Sequence, residues 1–129
     1  MIAPGLPKTE YRVATAQCYE KLECFDDAER ILLPMYKGKK TGYLSNLSKL
    51  YEMSNQNEKL IDLLLDAADD KRFTWGLKPE TASALAAEYP NEWEDLRLKA
   101  SEQARQWSES GSTKDKKDAE KLRRFYNLP

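Results

Sequence analysis

The sequence predicts an all-α fold, and three observations carry that expectation. No segment alternates apolar and polar residues with period two over a useful length, and β-branched residues are sparse. Apolar residues instead recur three and four positions apart in successive segments, as on one face of a helix. Finally, a pattern returns after thirty-two residues: Ala14-x-x-x-Cys18-Tyr19-Glu20 matches Asn46-x-x-x-Leu50-Tyr51-Glu52, and Ala28-x-x-Ile31-Leu32-Leu33 matches Leu60-x-x-Leu63-Leu64-Leu65. A repeat of this period with two helices per unit marks antiparallel helix pairs stacked as a solenoid.

Pro4 and Pro7 define residues 1–7 as an extended leader. From Lys8 to about Leu22, Tyr11, Ala14, Cys18 and Leu22 form a helical stripe, and Glu23-Cys24-Phe25 reads as a tight turn. Asp26 is placed to cap a second helix whose stripe is Ala28, Ile31 and Leu32. Pro34 either ends that helix at Leu33 or kinks it, since proline removes a backbone bond and clashes with the preceding turn. Gly38 and Gly42 flank a Lys-rich loop, with Thr41 as cap of a third helix carrying Leu44, Leu47, Leu50 and Tyr51.

Ser54 to Asn57 is a polar turn before a fourth helix of Leu60, Ile61, Leu63, Leu64 and Ala67, with Asp62, Asp66, Asp69 and Asp70 on its polar side. Residues 73–77 are an irregular connection whose aromatics fold back onto the core. Pro79 suits the first turn of a fifth helix, with Ala82, Leu85, Ala86 and Tyr89 as its stripe, and Pro90 stops it. Asn91 and Glu94 make a capping box for a sixth helix that buries Trp93, Leu96, Ala100, Ala104 and Trp107. Ser108 to Ser112 is a linker. The last helix, about Thr113 to Tyr126, is polar except for Ala119, Leu122, Phe125 and Tyr126.

These elements resemble the tetratricopeptide repeat. In that family a small residue in the first helix is followed three positions later by an aromatic, and nine positions after that by a small residue where the helices touch. Ala16, Tyr19 and Ala28 match in the first unit, and Ser48, Tyr51 and Leu60 correspond in the second. The third keeps Leu85-Ala86-x-x-Tyr89, with Leu98 in place of the small residue. Lys40 and Arg72 stand where the family has its terminal proline, and Arg12 and Thr15 where it is bulky and apolar. The resemblance implies a short solenoid of about three units over residues 8–107, then a linker and a basic capping helix over 108–129. The steric reason is general: a small side chain lets helices approach, and the ring fills the wedge beside it.

The resemblance also implies a groove lined by the first helix of each unit. Its residues include Gln17, Glu20 and Lys21 from the first unit and Asn46, Lys49 and Glu52 from the second, a mixed polar set with no dominant sign. Of the positions with which family members clamp a partner's C-terminal carboxylate, only Asn46 matches, so that clamp is not expected.

Composition narrows the chemistry. The 129 residues are 40% apolar and 33% charged, with mean hydropathy −0.80 and net charge −1. No global field draws such a chain onto nucleic acid or an anionic membrane. With no histidine, serine triads, cysteine–histidine dyads and histidine metal sites are excluded. The five glycines never form a phosphate loop. Asp62, Asp66 and Asp70 share one face of a helix, which cannot converge on a cation as a metal site requires. Cys18 falls in the apolar stripe and reads as core, while Cys24 sits beside acids that disfavour a thiolate.

No run of eighteen apolar residues is present and the N-terminus lacks the pattern of a secretory signal, so a cytoplasmic or nuclear protein is expected. The expected role is a non-catalytic adaptor without cofactor or metal, binding a peptide or protein in its groove. One alternative is part of a larger helical scaffold. Another is an RNA-binding module using the basic end, where six Lys/Arg stand against three acids from Thr113 to Pro129. The interspersed acids favour a solvated capping helix.

Overall fold

The computed structural model describes residues 8–38 and 40–129, so the expected leader and Lys39 lie outside the described residues. The described residues are helical and contain no strand, as expected. The helices are α1 (Lys8–Lys21), α2 (Phe25–Gly38), α3 (Lys40–Met53), α4 (Asn57–Asp69), α5 (Pro79–Glu88), α6 (Pro90–Glu109) and α7 (Thr113–Tyr126). By its contacts the chain divides after Gln56 into two compact units. No described helix is long and apolar enough to cross a membrane.

In the first unit α1 packs on α2 and α2 on α3. Ala16 and Ala28 are fully buried, as small residues at a close helix approach should be. Leu32 and Tyr36 of α2 and Leu44, Leu47, Ser48, Leu50 and Tyr51 of α3 complete the core. The stripe expected on α1 is not the buried one. Ala14, Cys18 and Leu22 are exposed, Leu22 by 71%, while Tyr11, Val13, Thr15 and Tyr19 are half-buried. Two positions along a helix span about 200°, so Ala14 and Cys18 lie on the side away from Ala16. Cys18 is therefore not a core residue.

The turns after α1 and α3 repeat one geometry. Glu23 is left-handed (φ 59°), with its N–H on Glu20 O and the Cys24 N–H on Tyr19 O at 2.8 Å. Asn55 is left-handed (φ 56°), with its N–H on Glu52 O and the Gln56 N–H on Tyr51 O at 2.9 Å. Both close the helix with paired six-to-one and five-to-two bonds. Asp26 is not the cap of α2, because the helix starts at Phe25 and the Cys24 carbonyl accepts from the Ala28 N–H. Asp26 instead stands in the first turn, where its charge complements the helix dipole. Likewise Thr41 lies inside α3, which begins at Lys40. Pro34 neither ends nor replaces helix: α2 runs through it to Gly38. Pro34 and Arg30 are exposed, so the carbonyl left without its N–H partner is on a side open to solvent.

In the second unit α6 is the hub, with α4, α5 and α7 all packed on it. Leu60, Ile61, Leu63, Leu64, Ala67 and Ala68 of α4 are buried. The connection after α4 folds back, but the residues it buries are Thr74 and Leu77; the expected aromatics Phe73 and Trp75 are half-buried, with Trp75 meeting Trp107 edge-on at 6.4 Å. Pro79 is the first residue of α5. Tyr89 ends α5 and begins α6, so the expected Asn91–Glu94 capping box is absent: the N-cap residue is Tyr89, and its side chain makes no cap bond. Pro90 at the first position of α6 has no N–H to satisfy, which lessens the need for one.

Trp93, Leu96, Ala100 and Ala104 are buried as expected, Trp107 is half-buried, and Gln103 joins the buried set. Leu98 is 64% exposed, so it is not a helix-contact position. The helix α7 lies on α6 through Ala119, Leu122 and Tyr126, capped by Ser112 Oγ, which accepts from the Asp115 N–H. Tyr126, more than Phe125, is its buried aromatic, with ring centroid 5.1 Å from Trp93. Arg97 anchors the end of α7, donating from Nε to Tyr126 O and from Nη2 to Asn127 O, both at 3.0 Å.

Candidate interaction surface on helices α1 and α3

α1 and α3 both pack on α2, and the residues expected to line a groove lie on these two helices. Glu20 and Lys21 stand one turn after Gln17 on α1, and Asn46, Lys49 and Glu52 follow at three-residue steps on α3. Each trio therefore forms one strip on its own helix. Gln17, Lys21 and Lys49 are exposed, while Glu20, Asn46 and Glu52 are half-buried. Two acids, two bases and two amides leave the set without net charge. Partial burial raises the Glu20 carboxyl above its ordinary pKa. Beside the polar strips stand two apolar side chains, half-buried Val13 on α1 and 49%-exposed Met53 on α3.

Fixing α3 against α2 is a bond that the sequence did not suggest. Tyr51 Oη donates to Glu29 Oε2 at 2.6 Å, and the ring is only 4% exposed. Burial, then the Glu29 carboxylate, raises the pKa of the Tyr51 hydroxyl, so it stays protonated and a donor through neutral pH. The signal that points to Glu29 is indirect. A tyrosine expected to be buried needs an acceptor for its hydroxyl, and Glu29 is one turn before Leu32 and Leu33 on α2.

The other candidate groups stay apart. Asp62, Asp66, Asp69 and Asp70 are exposed, with Asp69 paired to Lys99 Nζ at 2.6 Å. Among the described residues no three His, Cys, Asp or Glu side chains converge as metal ligands would. Cys24 is exposed like Cys18, its Sγ 3.7 Å from Leu22 O. On α7, Lys114 pairs with Asp118 at 3.0 Å and Arg124 with Glu120 at 2.9 Å, so part of the basic charge is met within the helix.

Set against family models, curated proteins and solved structures, the chain matches none. The class that stands is an all-α protein with a repeated helix–turn geometry.

Proposed function

We propose that the chain is a non-catalytic interaction module that binds a peptide or protein segment along the strips of α1 and α3, in the manner of a tetratricopeptide-like array. The observation that carries this reading is a contrast at the repeated positions. Ala16 and Ser48 are fully buried, whereas Gln17 and Lys49, the next residues in each helix, are exposed. The same register thus buries one position of each helix and leaves polar residues at two others, Gln17 with Lys49 and Glu20 with Glu52. Rigid helices presenting alternating acids, bases and amides suit recognition of an extended or helical partner by its side chains and main chain.

The test is affinity capture followed by titration of the captured partner. Replacing Lys49 and Glu52 by alanine weakens it about tenfold or more, roughly 1.4 kcal/mol. Replacing Asp62 and Asp66 by alanine leaves it unchanged. The reverse ranking, with helicity intact, refutes the assignment of the surface. If the ligand is instead generic single-stranded RNA, with a steep salt slope and loss on Lys117→Glu with Lys121→Glu, the basic helix is the functional element.

A further inference from the structure

The second unit contains a hollow of about 410 Å³ that the interaction surface on α1 and α3 does not use. Trp75 and Leu77 from the connection after α4, Pro79 from the first turn of α5 and Phe125 from α7 make its apolar walls. Lys121 and Arg124 stand at the same hollow. Its volume lies at the small end of sites that take a compact organic molecule, roughly 300–1,000 Å³.

The aromatic walls are backed by further rings. Trp75 meets Trp107 edge-on, with centroids 6.4 Å apart and planes at 86°. Phe125 meets Tyr126 at 4.9 Å and 89°, and Trp93 at 6.4 Å and 64°. Both wall rings are half-buried, so each is held by packing while part of it stays open. Such walls need little reorganisation to accept a flat apolar group.

The charge at the hollow has one sign in excess. Lys121, Arg124 and Phe125 lie at i, i+3 and i+4 on α7 and so share a face. Lys121 makes no ion pair or hydrogen bond among the described residues, whereas Arg124 Nη2 bonds Glu120 Oε1 at 2.9 Å. Pro79 also brings the first turn of α5 to the wall, where the helix dipole is positive and the Lys78 side chain supplies no cap; Glu80 in that turn offsets part of it. An apolar slot with an unpaired ammonium beside it calls for a ligand with a hydrophobic ring and an anionic group on a short tether.

We propose that this hollow binds a small aromatic carboxylate, its ring between Trp75 and Phe125 and its carboxylate accepting from Lys121 Nζ and the Arg124 guanidinium. A nucleotide fits less well. Beyond the two cations and one indole N–H, the lining side chains are apolar, so the polar edge of a base would be desolvated without partners. This inference is independent of the function proposed for α1 and α3.

Titration of the intact chain with 4-phenylbutyrate, followed by the Trp75 indole N–H resonance, tests the proposal. A saturable shift is expected, with 4-phenylbutylamine at least about tenfold weaker because its charge is reversed. The double variant Lys121→Glu with Arg124→Glu, both exposed positions, is expected to bind the acid about tenfold more weakly with unchanged helicity. Equal binding of acid and amine, no saturable shift, or undiminished binding by the variant overturns the proposal. Tighter binding of adenosine monophosphate would make the occupant a nucleotide. Tighter binding of an acetylated, amidated Glu-Phe-Glu peptide would make it a protein segment. Either result likewise overturns the assignment to a small acid.

Discussion

Replacing Tyr51 by phenylalanine removes the hydroxyl that ties α3 to α2. The ring, 4% exposed, keeps its place, and the 2.6 Å bond from Oη to Glu29 Oε2 is lost. A hydrogen bond to a charged acceptor contributes about 1.5–3 kcal/mol. Glu29 is half-buried and has other interactions, so its carboxylate recovers part of that from them and from water. The expected cost is therefore about 1–2 kcal/mol. Removing the ring as well, in Tyr51→Ala, opens a cavity in the core of the first unit and raises the cost to roughly 3–5 kcal/mol.

Urea unfolding followed by far-UV circular dichroism is the appropriate assay, because it reads the helices of the first unit, whereas Trp75, Trp93 and Trp107 all lie in the second. Tyr19 supplies an internal control. It holds the same place in the repeat but is half-buried, and its hydroxyl makes no hydrogen bond among the described residues. Tyr19→Phe is therefore expected within about 0.5 kcal/mol of the parent. A double-mutant cycle with Glu29→Gln should give a coupling on the order of 1 kcal/mol. Glu29 has other interactions, so its single substitution costs more than this coupling. If Tyr51→Phe is as neutral as Tyr19→Phe, or the two substitutions at 51 and 29 simply add, the bond does not stabilise the unit and the reasoning fails.

Three further outcomes are expected. Ser48 Oγ is buried without a hydrogen-bond partner among the described residues, and alanine already stands at the equivalent Ala16. Ser48→Ala should thus gain roughly 1 kcal/mol in urea unfolding, and a loss of that size would show that the hydroxyl has a partner. Leu122 is fully buried, so Leu122→Ala should cost about 2–5 kcal/mol. As α7 loosens over Trp93, tryptophan emission should shift to the red. Lys117→Glu with Lys121→Glu should stay within about 0.5 kcal/mol, and a large loss there would mean that the basic face is structural.

How far the sequence could be read differs between the two units, and the reason is local. On α4 and α6 the apolar residues are large and regularly spaced, so the stripe names the buried face: Leu60, Leu64, Trp93 and Leu96 are all buried. On α1 no such residues mark a face. There the apolar stripe of Ala14, Cys18 and Leu22 pointed to the wrong side, because a close helix contact is made by what is small rather than by what is greasy. The candidate strips stand beside the buried Ala16 and Ser48, which the apolar stripe of α1 does not single out. The terminal turns were legible only in outline. Glu23 and Lys71 occupy left-handed positions (φ 59° and 61°) that usually attract glycine or asparagine, so no punctuating residue marked them.

Comparison at an offset of thirty-two residues recovers much of what single-helix patterns miss. Ala16 and Ser48, Ala28 and Leu60, Leu32 and Leu64, and Tyr36 and Ala68 are pairwise buried, although their side chains differ widely in size and polarity. The left-handed Glu23 and Asn55 keep the same offset, as do the bonds closing on Tyr19 O and Tyr51 O. After Tyr89 the geometry does not recur: α5 ends at Glu88, and Tyr89 passes directly into α6 without a left-handed residue. A chain can repeat burial and turn closure while its individual side chains diverge, because backbone curvature and helix spacing constrain position before chemistry. That leaves exposed positions such as Gln17 and Lys49 free of packing demands, and it is there that the recognition we propose for α1 and α3 is encoded.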